Sequence, residues 1–391
     1  SSSGPMSKET SFTSVTALHE STSTVALPRE PSLLSITPTL LWTGTNWNDA
    51  IACEERLLHQ YVRSPFRLGR VAVDLPSLGL GRQYINTLDV NPGVRGGVPI
   101  LWMHGAGAGL GFGYRNFDAL ANLNGSTRRV LGVDWLGQAG SSRPSFPFGG
   151  LRAPVWTLPE EKQIDAAIAF SVDSLEALRM KLDIEQFDLV AHSMGGYLAT
   201  QYALAYPERV RRLVLVSPVG WVEKPQVGRA SGIFGALWDW GLGNFGLLRT
   251  IGRLAKGTAK NAVIGRFNIH NQAERELVAD YFWSQLVAQR ISAEKNVNYL
   301  LEPFFAPAPF GFYAKRSVMS EPMERLCKLP PTTLLYGSHD LHYIPTMPKA
   351  VSVVDAATTN SVTMRFVSGS DHHLYIDNPA EFHAYVAQAL A

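Results

Sequence analysis

The period of the apolar positions changes several times along this chain, and each change marks an element. Residues 98–103 form an unbroken apolar run, the pattern of a strand buried on both faces; 129–133 reads as a further buried strand, and 212–217, 332–336 and 362–367 read as strands as well. Residues 160–182 place Ile164, Ile168, Val172, Leu175 and Leu178 at helical spacing, and a second helical stretch runs to Tyr206, where Pro207 stops it. A charged helix is predicted over 49–62, a β-rich pair over 70–75 and 82–90, and a closing helix over 379–390. Strands alternating with helices predict an α/β fold with a mostly parallel sheet and helices on both faces. That rhythm breaks between 220 and 325, where Trp, Phe, Gly and Leu accumulate among scattered basic residues, so a helical cap insertion is expected over the sheet's C-terminal edge.

The expected division is residues 1–32 as a disordered N-terminal segment, 33–62 as a peripheral segment containing tryptophans, 63–219 and 326–391 as the two parts of the α/β core, and 220–325 as the cap. The first stretch is Ser/Thr-rich, short of large apolar residues and without a period. It shows neither a secretory signal nor a typical mitochondrial presequence, and the opening SSSGP reads as an appendage before a natural start at Met6. No run is long and apolar enough to span a bilayer, so any membrane contact is expected to be peripheral.

The formal net charge of +2 is close to balance, which argues against a nucleic-acid partner because such binding needs a concentrated basic face. The two cysteines, Cys53 and Cys327, cannot make a disulfide framework and have no metal-site spacing, so an intracellular, reducing compartment is expected. Trp42 and Trp47, beside Leu40 and Leu41, either pack on the domain edge or sit at a lipid headgroup boundary. Residues 233–260 pose the same choice, an ordinary cap helix or a lipid-facing surface, with Arg249, Arg253, Lys256 and Lys260 flanking apolar residues.

Chemistry concentrates in FDLVAHSMGGYL at 187–198, which reads as strand, sharp turn and helix with Ser193 at the turn. A nucleophile on such an elbow needs small neighbours two residues away, here Ala191 and Gly195. The strand at 98–103 ends in His104-Gly105-Ala106-Gly107, so the N–H groups of Ala106 and Met194 are candidates for an oxyanion hole. Asp340 follows the strand at 332–336, and His372 follows the strand at 362–367. Ser193, Asp340 and His372 thus occur in that order, each at the C-terminal end of a predicted parallel strand. A hydroxyl at neutral pH needs a base to take its proton, and the histidine needs an acid to set its tautomer. Weaker readings stand beside this one. The serine turn can be incidental, the Gly-rich loop can cradle a phosphate, and His339, Asp340, His342, His372 and His373 can gather a metal. The first loop lacks a Walker lysine, and no helical HExxH pair is present.

HGAGAGLGFGYRNF, DWLGQAGSSRP, AHSMGG, FGFYAKRSVM, GSHD and HHLYIDNP together resemble the lipid-acting branch of the α/β-hydrolases, from Trp42 to the C-terminus. That branch contains the lipid-droplet lipase coactivators, the N-acyl-phospholipid lipases, and the fungal cardiolipin lipase and lysophosphatidate acyltransferase homologues. The resemblance implies an α/β-hydrolase fold with Ser193 as nucleophile, Asp340 as acid and His372 as base, without a cofactor. It also implies that His372 with Asp377 forms the HxxxxD pattern linked to acyl transfer. Two residues depart from the pattern: Ala191 stands for glycine, and Asp371 precedes His372 where glycine is usual, within reach to compete with Asp340. The expected function is a serine-dependent acyl-ester hydrolase, of phospholipase or lysophospholipase type, working on glycerophospholipids at a peripheral membrane or lipid-droplet, endoplasmic-reticulum or mitochondrial surface. The alternatives are a lysophosphatidate acyltransferase, a non-catalytic lipase coactivator and a soluble small-ester hydrolase.

Overall fold

A computed structural model describes residues 12–14, 47–144, 157–221, 238, 245, 248–249, 252–289, 295–304, 311–340 and 362–391. Trp42, Leu40, Leu41, His342, most of 1–46 and most of 222–251 lie outside the described residues.

Among the described residues one large sheet carries nine strands: β1 (Phe12–Ser14), β2 (Phe66–Leu75), β3 (Leu80–Val90), β4 (Ile100–Met103), β5 (Val130–Val133), β6 (Phe187–His192), β7 (Val210–Val216), and two later ones, Thr332–Gly337 and Val362–Val367, which follow a separate ribbon. That ribbon takes β8 (Leu301–Phe304) and β9 (Gly311–Ala314), so the last two sheet strands are β10 and β11. The spatial order is β1-β2-β3-β5-β4-β6-β7-β10-β11. From β5 to β11 every pairing is parallel, and β1, β2 and β3 extend the sheet antiparallel.

Burial follows from position in that order. Every residue of β4, β5 and β6 is buried, as central parallel strands require, whereas outer β2 alternates. Side chains alternate between two cores. Leu101, Met103, Leu189, Ala191, Leu213 and Leu215 face α3 (Glu160–Lys181) and α4 (Met194–Ala205). Ile100, Trp102, Val190, Val214 and Val216 face the opposite layer, which includes α1 (Trp47–Tyr61) and α2 (Phe117–Ala121).

The described part of 220–325 contains α5 (Lys256–Arg266), α6 (Gln272–Tyr281), a π-helical turn at Phe282–Val287, α7 (Asn296–Leu300) and the antiparallel β8–β9 ribbon. After α8 (Met323–Leu326) and β10–β11 come α9 (Leu374–Asp377) and α10 (Pro379–Ala389).

Three details differ from the sequence reading. Phe12–Ser14, inside the segment expected to be disordered, pairs antiparallel with β2, because FTS is β-prone and β2 offers an open edge. Residues 301–304 and 311–314 form an antiparallel ribbon within 220–325, where only helices were expected. Arg249, placed on a cationic flank, is buried, and its guanidinium donates to the carbonyls of Leu286 and Val287 at 2.7 and 3.0 Å.

Candidate active site

Ser193 sits between β6 and α4 with φ +54° and ψ −121°, a backbone state that costs a non-glycine residue strain and projects its side chain from the turn. Tight packing enforces the turn. A Cβ on Gly195 would lie 2.4 Å from the His104 carbonyl oxygen, and one on Gly196 would lie 2.8 Å from the Pro218 side chain. Ala191 is fully buried in the core beneath the turn, which accommodates its methyl.

Ser193 Oγ stands 3.0 Å from His372 Nε2, and His372 Nδ1 stands 3.3 Å from Asp340 Oδ2. Asp340 is fully buried, while the His372 side chain keeps 22% of its surface exposed, so the imidazole opens toward solvent and the carboxylate does not. The three residues come from turns after β6, β10 and β11. The last two turns pack closely: a Cβ on Gly337 would lie 2.3 Å from the Asp371 carbonyl oxygen.

Asp371 is engaged through backbone hydrogen bonds. Its Oδ1 accepts the His372 backbone N–H at 2.8 Å, and its own N–H donates to Asp377 Oδ2 at 3.1 Å. The other Asp377 oxygen accepts the N–H of Asn268, in the cap, at 3.3 Å. Burial raises the Asp377 carboxyl above its ordinary pKa. His372 and Asp377 are thus linked through the backbone of Asp371.

Ala106 and Met194 flank Ser193 on separate elements. Among the described residues neither backbone N–H donates a hydrogen bond. The Ala106 loop lies against Ser193: a Cβ on Gly105 would meet Ser193 Cβ at 2.8 Å. His104 opens that loop, and burial holds its imidazole below its ordinary pKa. Its Nδ1–H donates to the Gly105 carbonyl at 2.8 Å, leaving Nε2 to accept the Trp135 N–H at 3.2 Å.

Several contributors escaped the sequence reading. His192 Nε2–H donates to the His372 carbonyl at 3.0 Å, tying the residue before Ser193 to His372. Tyr281 Oη, from the cap, accepts the Gly111 N–H at 3.0 Å. Glu274, also from the cap, binds Arg115 at 2.7 Å and accepts from Tyr114. A buried group of Glu54, Asn86 and Asp134 lies behind the Ala106 loop, where burial and the neighbouring Asp134 carboxylate raise Glu54 well above its ordinary pKa. Trp47 is half-buried, with the Arg70 guanidinium 3.4 Å from its ring centroid. Among the described residues no helix is long and apolar enough to cross a membrane, and no three His, Cys, Asp or Glu side chains gather as metal ligands.

The profile of the family described as alpha/beta hydrolase fold matches residues 98–379. A 1-acylglycerol-3-phosphate O-acyltransferase of Arabidopsis thaliana is 30% identical over 90% of this chain and 82% of its own. A (lyso)-N-acylphosphatidylethanolamine lipase of Bos taurus is 30% identical over 77% of this chain and 82% of its own. Among solved structures, the carboxylesterase CesB of Bacillus subtilis covers 88% of this chain and 98% of its own, with a TM-score of 0.53 and 14% identity, a likeness of fold alone.

Proposed function

The chain belongs to the α/β-hydrolase fold family, and from that membership we propose that it is a serine-dependent acyl-ester hydrolase acting on membrane glycerophospholipids or lysophospholipids through an acyl-enzyme on Ser193. The observation that carries this reading is the 3.0 Å approach of Ser193 Oγ to His372 Nε2. A strained serine in hydrogen-bond reach of an imidazole that is backed by a buried carboxylate is the arrangement nucleophilic acyl transfer needs.

In this reading Ser193 Oγ attacks the acyl carbonyl carbon as its proton passes to His372 Nε2. Asp340 Oδ2 accepts the Nδ1–H and stabilises the imidazolium. The N–H groups of Ala106 and Met194 receive the oxyanion. Collapse expels the lipid alcohol, which takes the proton from Nε2 and leaves the acyl group on Ser193. Water then gives its proton to Nε2 and attacks the ester, and the fatty acid leaves as Ser193 regains its hydrogen.

The lipid class rests on the relatives, two of which bear the names of a lysophosphatidate acyltransferase and a phospholipid lipase. The first favours a second reading at the same serine, in which a lysophosphatidate hydroxyl replaces water as acceptor. Assay of liposomal phospholipid, with and without added lysophosphatidate, separates hydrolysis from transfer. A fluorophosphonate probe that leaves Ser193 unlabelled overturns both readings and favours a non-catalytic coactivator. Turnover of soluble esters with indifference to liposomes favours a small-ester hydrolase.

A further inference from the structure

We infer that Asp134 and Trp135 are positioning residues of the oxyanion hole, holding both ends of the loop that presents the Ala106 N–H. This rests on the reading of Ser193 as the acylated nucleophile. The loop begins at His104, where β4 ends, and reaches Leu110. At its first end the Trp135 backbone N–H donates to His104 Nε2 at 3.2 Å, and the indole Nε1–H donates to the His104 carbonyl at 2.9 Å. At its second end Asp134 Oδ1 accepts the Leu110 N–H at 2.6 Å. Two consecutive residues after β5 therefore bracket the stretch containing Ala106.

The bracket is itself held. Asp134 Oδ2 accepts from Asn86 Nδ2 at 2.7 Å and from the Gly140 N–H at 2.9 Å. Asn86 Nδ2 also donates to Glu54 Oε2 at 2.9 Å, and Arg70 grips the Gly140 carbonyl through Nε and Nη2 at 3.0 and 2.7 Å. A fully buried carboxylate with three N–H donors is oriented by all of them, because losing any one leaves a desolvated polar group unpaired. The loop has no slack on its inner side. A Cβ on Gly109 would lie 2.3 Å from Tyr281 Oη and 3.2 Å from Asp134 Oδ1. Oxyanion stabilisation depends on donors preset within tenths of an ångström, so a brace at both ends of the loop acts on the transition state more than on substrate binding.

Two variants test this on the full chain. Trp135→Phe removes the indole donor to His104 while keeping an aromatic ring in a site only 3% exposed. Asp134→Asn keeps one acceptor oxygen and turns an NH2 toward groups that donate. On a short soluble ester, kcat should fall about 10-fold in Trp135→Phe and about 10²-fold in Asp134→Asn, with KM within about 2-fold of wild type. Affinity for a phenylboronic acid, whose tetrahedral adduct on Ser193 places an oxyanion in the hole, should fall in step with kcat. A folded Trp135→Phe enzyme with wild-type kcat, or a fall in kcat with boronate affinity unchanged, overturns the inference. If Asp134→Asn does not fold, Trp135→Phe decides alone. Persistence of hydrolysis and boronate binding in Ser193→Ala sinks the underlying reading, which distinguishes the two failures.

Discussion

Asp371 and Asp377 are joined by a hydrogen bond from the backbone N–H of the first to Oδ2 of the second at 3.1 Å. Since Asp377 also accepts the Asn268 N–H, its carboxylate couples the loop carrying His372 to the stretch between α5 and α6. An acid that positions the base serves water and alcohol acceptors alike. Asp377→Asn should therefore lower hydrolysis and any acyl transfer to lysophosphatidate by the same factor, about 10-fold, leaving the product ratio unchanged. Transfer lost with hydrolysis intact would give Asp377 a direct part in acyl transfer.

Nucleophile and base act as a unit, so Ser193→Ala and His372→Ala should each cost about 10³-fold or more in kcat, with no further loss in the double variant. Asp340→Asn should be severe, because the imidazole then loses its tautomer control. Asp371→Asn should be mild, since the Asp371 carboxylate meets the His372 backbone N–H and an amide oxygen can replace it. Steady-state kinetics on a soluble ester rank the four, and the reverse order for the two aspartates would exchange their roles.

Trp42 and Trp47 should separate on mutation. Trp47 is half-buried under Arg70, which in turn holds the Gly140 carbonyl, so Trp47→Ala should lower Tm by several degrees together with soluble-ester turnover. Trp42→Ala should weaken liposome flotation while sparing the soluble assay. Equal effects of the two variants on both measurements would remove this distinction.

Acid should weaken the anchorage of α10. His383 Nε2–H donates to Asn116 Oδ1 at 2.9 Å, and burial holds its imidazole down at about 4, against 6.5 in the free side chain. As pH falls through 6.5 the unfolded chain takes up the proton first. The neutral histidine's contribution is thus complete above pH 6.5, is lost between about 6.5 and 4, and changes no further below. The loss is on the order of 2–3 kcal/mol, given partial exposure of the ring. His383→Gln should remove that part of the slope, as urea unfolding at a series of pH values would reveal.

The parallel half of the sheet is legible in the chain because short apolar-rich stretches alternate with helical ones, and three of those stretches end in turns carrying Ser193, Asp340 and His372. The ribbon is harder to read: β8 and β9 have four residues each, and one contains Pro303. Phe12–Ser14 owes its strand to the edge of β2, a partner far along the chain. The polar group behind Ala106 did leave a trace. Glu54 occupies the apolar stripe of α1 formed by Ala50, Ile51, Leu57 and Leu58, where a buried acid demands a partner. Its partner, Asn86 of β3, is named only by tertiary pairing.

The grip of α6 on the core bears on how such a protein can diversify. Glu274 binds Tyr114 and Arg115, and Tyr281 receives the Gly111 N–H, so α6 steadies the stretch that continues from the loop beside Ser193. A chimera that imports another protein's insertion must import these anchoring side chains as well, or loosen residues 110–115. Variation in the insertion is thereby channelled toward the parts that do not touch residues 110–115.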